Sequence, residues 1–107
     1  MPKYLVQASY TAEGTRGLLK GGGGTARRAA VQQLAQGLQG KVESLYYGFG
    51  DDDVFVILDL PDHISAAAIA LTVRASGAVS LKTTVLLTPE EIDQAARKTV
   101  HYRAPGQ

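Results

Sequence analysis

The chain has 107 residues, 45% hydrophobic and 20% charged, with a net charge of +1 and no cysteine. That length suits one folded unit burying roughly 65% of its unfolded surface without metal or cross-links. The absence of cysteine excludes disulfides, thiolate metal sites and cysteine nucleophiles.

Its charges are scattered, with no basic stripe for nucleic acid. The longest nearly uncharged run, Ile64 to Val73, falls far short of the ~20 residues a membrane span needs. The opening Met-Pro-Lys-Tyr-Leu-Val-Gln lacks the apolar core of a secretory signal, so a cytoplasmic setting is expected.

Lys3 to Tyr10 alternates as a strand, with Tyr4, Val6, Ala8 and Tyr10 on one face and Lys3, Leu5, Gln7 and Ser9 on the other. Thr11-Ala12-Glu13-Gly14 is expected to end it, and Thr15 to Lys20 to make at most one helical turn. Gly21 to Gly24 cannot stay helical, since each glycine costs about 1 kcal/mol against alanine. The first main helix is predicted from a Thr25 N-cap to Leu38, with Ala30, Leu34 and Leu38 inward, Val31 and Ala35 alongside, and Gly40 as its left-handed terminator.

Residues 41–62, KVESLYYGFGDDDVFVILDLPD, read as two strands folded back through a Gly50-Asp51-Asp52 turn. Parity places Val42, Tyr46, Val54, Val56, Leu58 and Leu60 on the core face. The second helix starts at an Asp62 N-cap, stops at Gly77, and is expected to bury Ile64, Ala67, Ala68, Leu71 and Ala75. Ala78 to Leu87 is the fourth strand, with Val79, Leu81, Val85 and Leu87 inward. Thr88-Pro89-Glu90-Glu91 is a capping box opening a terminal helix with Ile92, Ala95 and Ala96, followed by a tail from His101 to Gln107.

This order predicts an α+β, ferredoxin-like βαββαβ sandwich over residues 1–107: a four-stranded antiparallel sheet, two helices on one face and an extra C-terminal helix. Right-handed crossovers put the first and third strands at the centre. The open face would carry Leu5, Gln7, Ser9, Glu43, Leu45, Tyr47, Phe55, Ile57, Asp59, Lys82, Thr84 and Leu86. Its apolar part exceeds the patch usual on a monomer, so two such sheets are expected to pair and enclose a cavity, unless the terminal helix covers the face.

The hairpin with Gly50-x-x-Asp53, the strand ending Asp59-Leu60-Pro61-Asp62 and the alanine-rich helix after it together resemble the GYD-domain family. Tyr10-Thr11-x-x-Gly14, the glycine-rich break before Arg27-Arg28, Thr88-Pro89-Glu90-Glu91 and Tyr102-Arg103-Ala104-Pro105 fit as well. The tyrosine of the family's name falls on Asp52, so any role for that phenol is absent or moved. The resemblance implies a single ferredoxin-like domain of dimeric α/β-barrel type and no particular reaction.

Glu43 and Asp59 would stand opposite each other if Tyr47 pairs with Phe55 and Leu45 with Ile57. Carboxylates ~5 Å apart resist double ionisation and could act as general acid and base. The alternative is that Lys3 or Lys82 neutralises them. Tyr47 and Phe55 would wall the cavity against a planar or apolar ligand, or simply pack in an interface. Lys20-Gly-Gly-Gly-Gly-Thr-Ala-Arg-Arg matches no phosphate-loop pattern and reads as a connector. Asp51-Asp52-Asp53 lacks the ligand spacing of a calcium loop, and His63 and His101 have no third partner.

The expected protein is a homodimer or higher oligomer binding a small organic ligand, with no metal and no cofactor. Gln7, Ser9, Leu45, Tyr47, Phe55, Ile57, Lys82 and Thr84 are the candidate ligand-binding residues, and Glu43 and Asp59 the candidate catalytic ones. A cofactor-independent enzyme of isomerase or monooxygenase type, using a carboxylate in the same cavity, and a purely structural oligomer are the alternatives.

Overall fold

The alternating and helical runs of the sequence condense, in a computed structural model describing residues 1–107, into eight elements. They are β1 (Lys3–Tyr10), α1 (Ala12–Lys20), α2 (Gly23–Gly37), β2 (Lys41–Tyr47), β3 (Val54–Asp59), α3 (His63–Ala75), β4 (Val79–Leu86) and α4 (Pro89–Ala96). The strands form one antiparallel sheet ordered β2-β3-β1-β4, so β1 and β3 are central, as the crossovers require. This is the ferredoxin-like α+β arrangement.

Tyr4, Ala8, Val54, Val56, Leu58 and Leu81 are buried beneath the helices, where Ala35 of α2 and Ala66 and Ile69 of α3 complete the core. Helix α2 packs over β2 and α3 over β4, and the two helices hardly touch each other. Tyr4 is the largest fully buried side chain, and its hydroxyl meets Nδ1 of His63 at 2.6 Å, which satisfies a phenol that burial would otherwise strand. Burial, and secondarily the charge of Asp62, holds this phenol above its usual range.

Local chemistry redraws several boundaries. Thr11 does not end the first strand in a turn; its side chain accepts the N–H of Gly14 at 3.1 Å and caps a nine-residue α1. The break falls at Gly21-Gly22, and α2 starts at Gly23 rather than Thr25, because Gly22 (φ 96°) takes the left-handed turn. After α2 the left-handed residue is Gln39 (φ 62°), not Gly40. Gly40 is needed for another reason: it lies against the Asp59 carbonyl and the Leu60 side chain, where a Cβ has no room.

Helix α3 is rotated from its expected face. It buries Ala66 and Ile69, with Ala70 and Val73 beside them, while Ile64, Ala67, Ala68, Leu71 and Ala75 are exposed. Ala30 of α2 is also exposed, Val85 and Leu87 are at least half exposed, and only Val79 and Leu81 of that expected set lie inward. The Thr88–Glu91 capping box forms in both directions, at 3.1 and 2.8 Å. Helix α4 nevertheless buries no residue and has almost no contact with the body, so it does not cover the open sheet face. The chain extends to 56 × 33 × 23 Å, with a radius of gyration of 16.9 Å.

Candidate functional site

Residues paired across antiparallel strands share a face, so the pairings define the open side of the sheet row by row. From β2 to β4, one row reads Lys41, Asp59, Lys3 and Leu86. The next reads Ser44, Ile57, Leu5 and Thr84, and the third Tyr46, Phe55, Gln7 and Lys82. Ser9 and Ser80 follow. Leu5, Phe55, Ile57 and Leu86 form the apolar centre, with Tyr46 beside them and 72% exposed.

The predicted residues Gln7, Ser9, Phe55, Ile57, Lys82 and Thr84 therefore lie on this face. Leu45 and Tyr47 do not. The β2–β3 register shifts between Val42 and Ser44, so Glu43 bulges, Tyr46 stands opposite Phe55, and Tyr47 stands opposite Val54 on the helix side. A bulge adds one residue to a strand and reverses the parity of everything beyond it. Tyr46 takes the place expected for Tyr47, and the alternation contained the signal. Glu43-Ser44 puts two polar residues between Val42 and Leu45, where a regular strand would have turned serine inward and leucine out.

The bulge also separates the expected carboxylate pair. Asp59 faces Lys41 in the register, while the ammonium of Lys3 bridges Asp59 at 2.8 Å and Glu43 at 2.9 Å. Asp59, and secondarily Glu43, hold that ammonium above its usual range. With Lys3 as common counter-ion, the geometry is that of an ion-bridged triad rather than two facing acids.

At the opposite end the hairpin connection curls over the sheet. Asp52 accepts hydrogen bonds from Gln7 and Ser9, each at 3.3 Å, and pairs with Lys82 at 3.2 Å. Asp53 accepts the Tyr10 N–H at 2.9 Å, and the Asp51 carbonyl accepts from Ser9 at 3.0 Å. The neighbouring aspartates thus point to different partners and do not converge on one ion. Asp52, which stands where the family's naming tyrosine would fall, ties down three of the candidate ligand residues. Phe49, at the tip of the same connection, is fully exposed.

Leu45 and Tyr47 instead line a cavity of about 70 Å³ between the sheet and the helices, with Arg27 and Tyr10 also on its walls. Burial, assisted by the Tyr47 phenol and opposed by Arg27, pushes the Tyr10 phenol up to about 12.

Neither a curated protein nor a solved structure matches the chain. The GYD domain family model matches residues 4–96, from the strand carrying Tyr4 to the end of α4. On that match, spanning the sheet and all four helices, the chain belongs to the GYD-domain family.

Proposed function

We propose that this GYD-domain protein works as a homodimer, of the α/β-barrel kind, whose open sheet faces pair and hold a small organic molecule between them. The observation that carries this reading is surplus surface. A compact monomer of this mass exposes about 5,700 Å² and has a radius of gyration of about 13 Å. This chain exposes 7534 Å² with a radius of gyration of 16.9 Å. The excess, roughly 1,800 Å² per chain, includes α4 standing off the body and is of the size an obligate homodimer buries. Leu5, Phe55, Ile57, Leu86 and Tyr46 supply the apolar centre such an interface needs, and Phe49 adds an exposed aromatic ring.

Native mass spectrometry tests the assembly and its content together. The dimer is expected for the parent chain and a monomer for Ile57→Glu, with excess mass on the parent dimer from a retained organic molecule. A monomeric parent, or an Ile57→Glu variant that dimerises as well as the parent, overturns the reading.

A second reading, a structural dimer with no ligand between its sheets, draws on Asp52. It already satisfies Gln7, Ser9 and Lys82, so those groups need no ligand to pair them. A dimer of bare polypeptide mass would favour it.

A further inference from the structure

We infer that the cleft between α2, α3 and the sheet is a separate binding site, for a small carboxylic acid with an apolar body. The helices are splayed: α2 rides on β2, α3 on β4, and the gap between them reaches down to the sheet. Its floor is the cavity of about 70 Å³, walled by residues such as Val31, Leu34, Leu45, Val56, Ile69 and Leu81. One water needs ~10–15 Å³ and two or more polar partners, so this space is large enough for several carbon atoms and too apolar to be held by solvent.

The upper end is chemically different. Tyr10, Tyr47 and Arg27 are the only walls with polar side-chain groups. Tyr10 and Arg27 also line the outer cleft, about 650 Å³, that opens between α1, α2 and α3. No carboxylate lies within ion-pairing distance of Arg27; Lys3 engages Glu43 and Asp59, Lys82 engages Asp52, and Asp53 accepts the Tyr10 N–H. Glu13 lines the outer cleft but not the inner cavity.

Arg27 only donates and each neutral phenol carries one O–H, so a carboxylate at the mouth of this apolar hole can accept from the guanidinium and from a phenol that exchanges its neighbour for the ligand. The backbone makes room for this mouth. Gly24 lies against the Tyr47 ring, where a Cβ would come within 3.1 Å. The site is on the opposite side of the sheet from the proposed dimer face, so it does not rest on that reading.

Titration calorimetry of the full chain with hexanoate, benzoate and hexan-1-ol is the test. Both acids are expected to bind saturably and more tightly than the alcohol. Arg27→Gln, a change on an exposed helix position, is expected to weaken hexanoate by about tenfold or more while leaving hexan-1-ol unchanged. Val31→Phe, which fills the cavity, is expected to abolish binding of all three, with Leu45→Phe serving if that variant does not fold. Ile57→Glu is expected to bind hexanoate as the parent does. Absence of saturable acid binding at millimolar concentration, equal loss of acid and alcohol in Arg27→Gln, or undiminished binding in the filled variant overturns the inference.

Discussion

The ammonium of Lys3 stands 2.8 Å from the carboxylate of Asp59, a residue only 5% exposed, and so joins the central strand β1 to its neighbour β3 by a charge pair at the sheet's end. Removing one partner of such a pair costs more than the pair contributes, because the other charge stays in the low-dielectric interior. Lys3→Met is therefore expected to lower the thermal unfolding midpoint, and adding Asp59→Asn to restore part of it. Glu43→Gln should matter less, since that side chain is 44% exposed and solvent screens it. The raised Lys3 group contributes fully below its ordinary value of 10.5, and the contribution fades as pH rises through the higher folded value. Thermal melts of the three variants across alkaline pH check both statements.

Asp52 fastens the β2–β3 connection to β1 and β4 through Gln7, Ser9 and Lys82. Asp52→Ala removes the shared acceptor and leaves the strands intact. Amide exchange at residues 48–53 is expected to accelerate by about tenfold or more, while Val56 and Leu58 in the core stay protected. Unchanged protection of the turn would show that its backbone bonds alone hold it.

The Tyr4–His63 contact separates a hydrogen bond from packing. Tyr4→Phe keeps the ring and deletes the hydroxyl that meets His63, so a loss of about 1 kcal/mol is expected in denaturant unfolding. Tyr4→Ala empties the centre of the core and should cost about 3–5 kcal/mol.

Tyr10 provides a pH signature. Its phenol is pushed up to about 12, and burial raises Tyr4 as well, so ultraviolet difference titration should show two late-ionising tyrosines, of which Tyr10→Phe removes one. A tyrosine raised in the folded state keeps its proton while the unfolded chain loses it. Stability from this group is present below the unfolded value near ~10 and is lost as pH rises to about 12, a slope that Tyr10→Phe should flatten.

Apart from α1, strand and helix order could be read residue by residue because each of those elements carries its own local signal. Lys3–Tyr10 alternates in isolation, Thr88 and Glu91 cap each other within one helical turn, and Asp62 caps α3 by accepting from Ser65. That last bond, to the Ser65 backbone first, also holds the Asp62 carboxyl below its usual range. Faces were harder. In α3 nearly every residue from Ile64 to Leu71 is apolar, so periodicity offers two stripes, and only docking on β4 selects Ala66 and Ile69 over Ile64 and Leu71. The candidate site divided in the same way: six of its eight candidate residues kept their face, while Leu45 and Tyr47 changed sides at one bulge.

From its residues alone the chain determined its four strands, the helices α2, α3 and α4, their order, and hence the central position of β1 and β3, but not the nine-residue α1, whose Thr11 cap reads equally as a turn. Those follow from backbone preference and from short-range patterns of greasy and polar side chains. The tertiary structure decided how strands slip past one another, where helices rotate and which acids find a lysine. These depend on groups such as Lys3, Glu43 and Asp59 that are far apart in the chain, and whose energies exist only once the sheet has assembled.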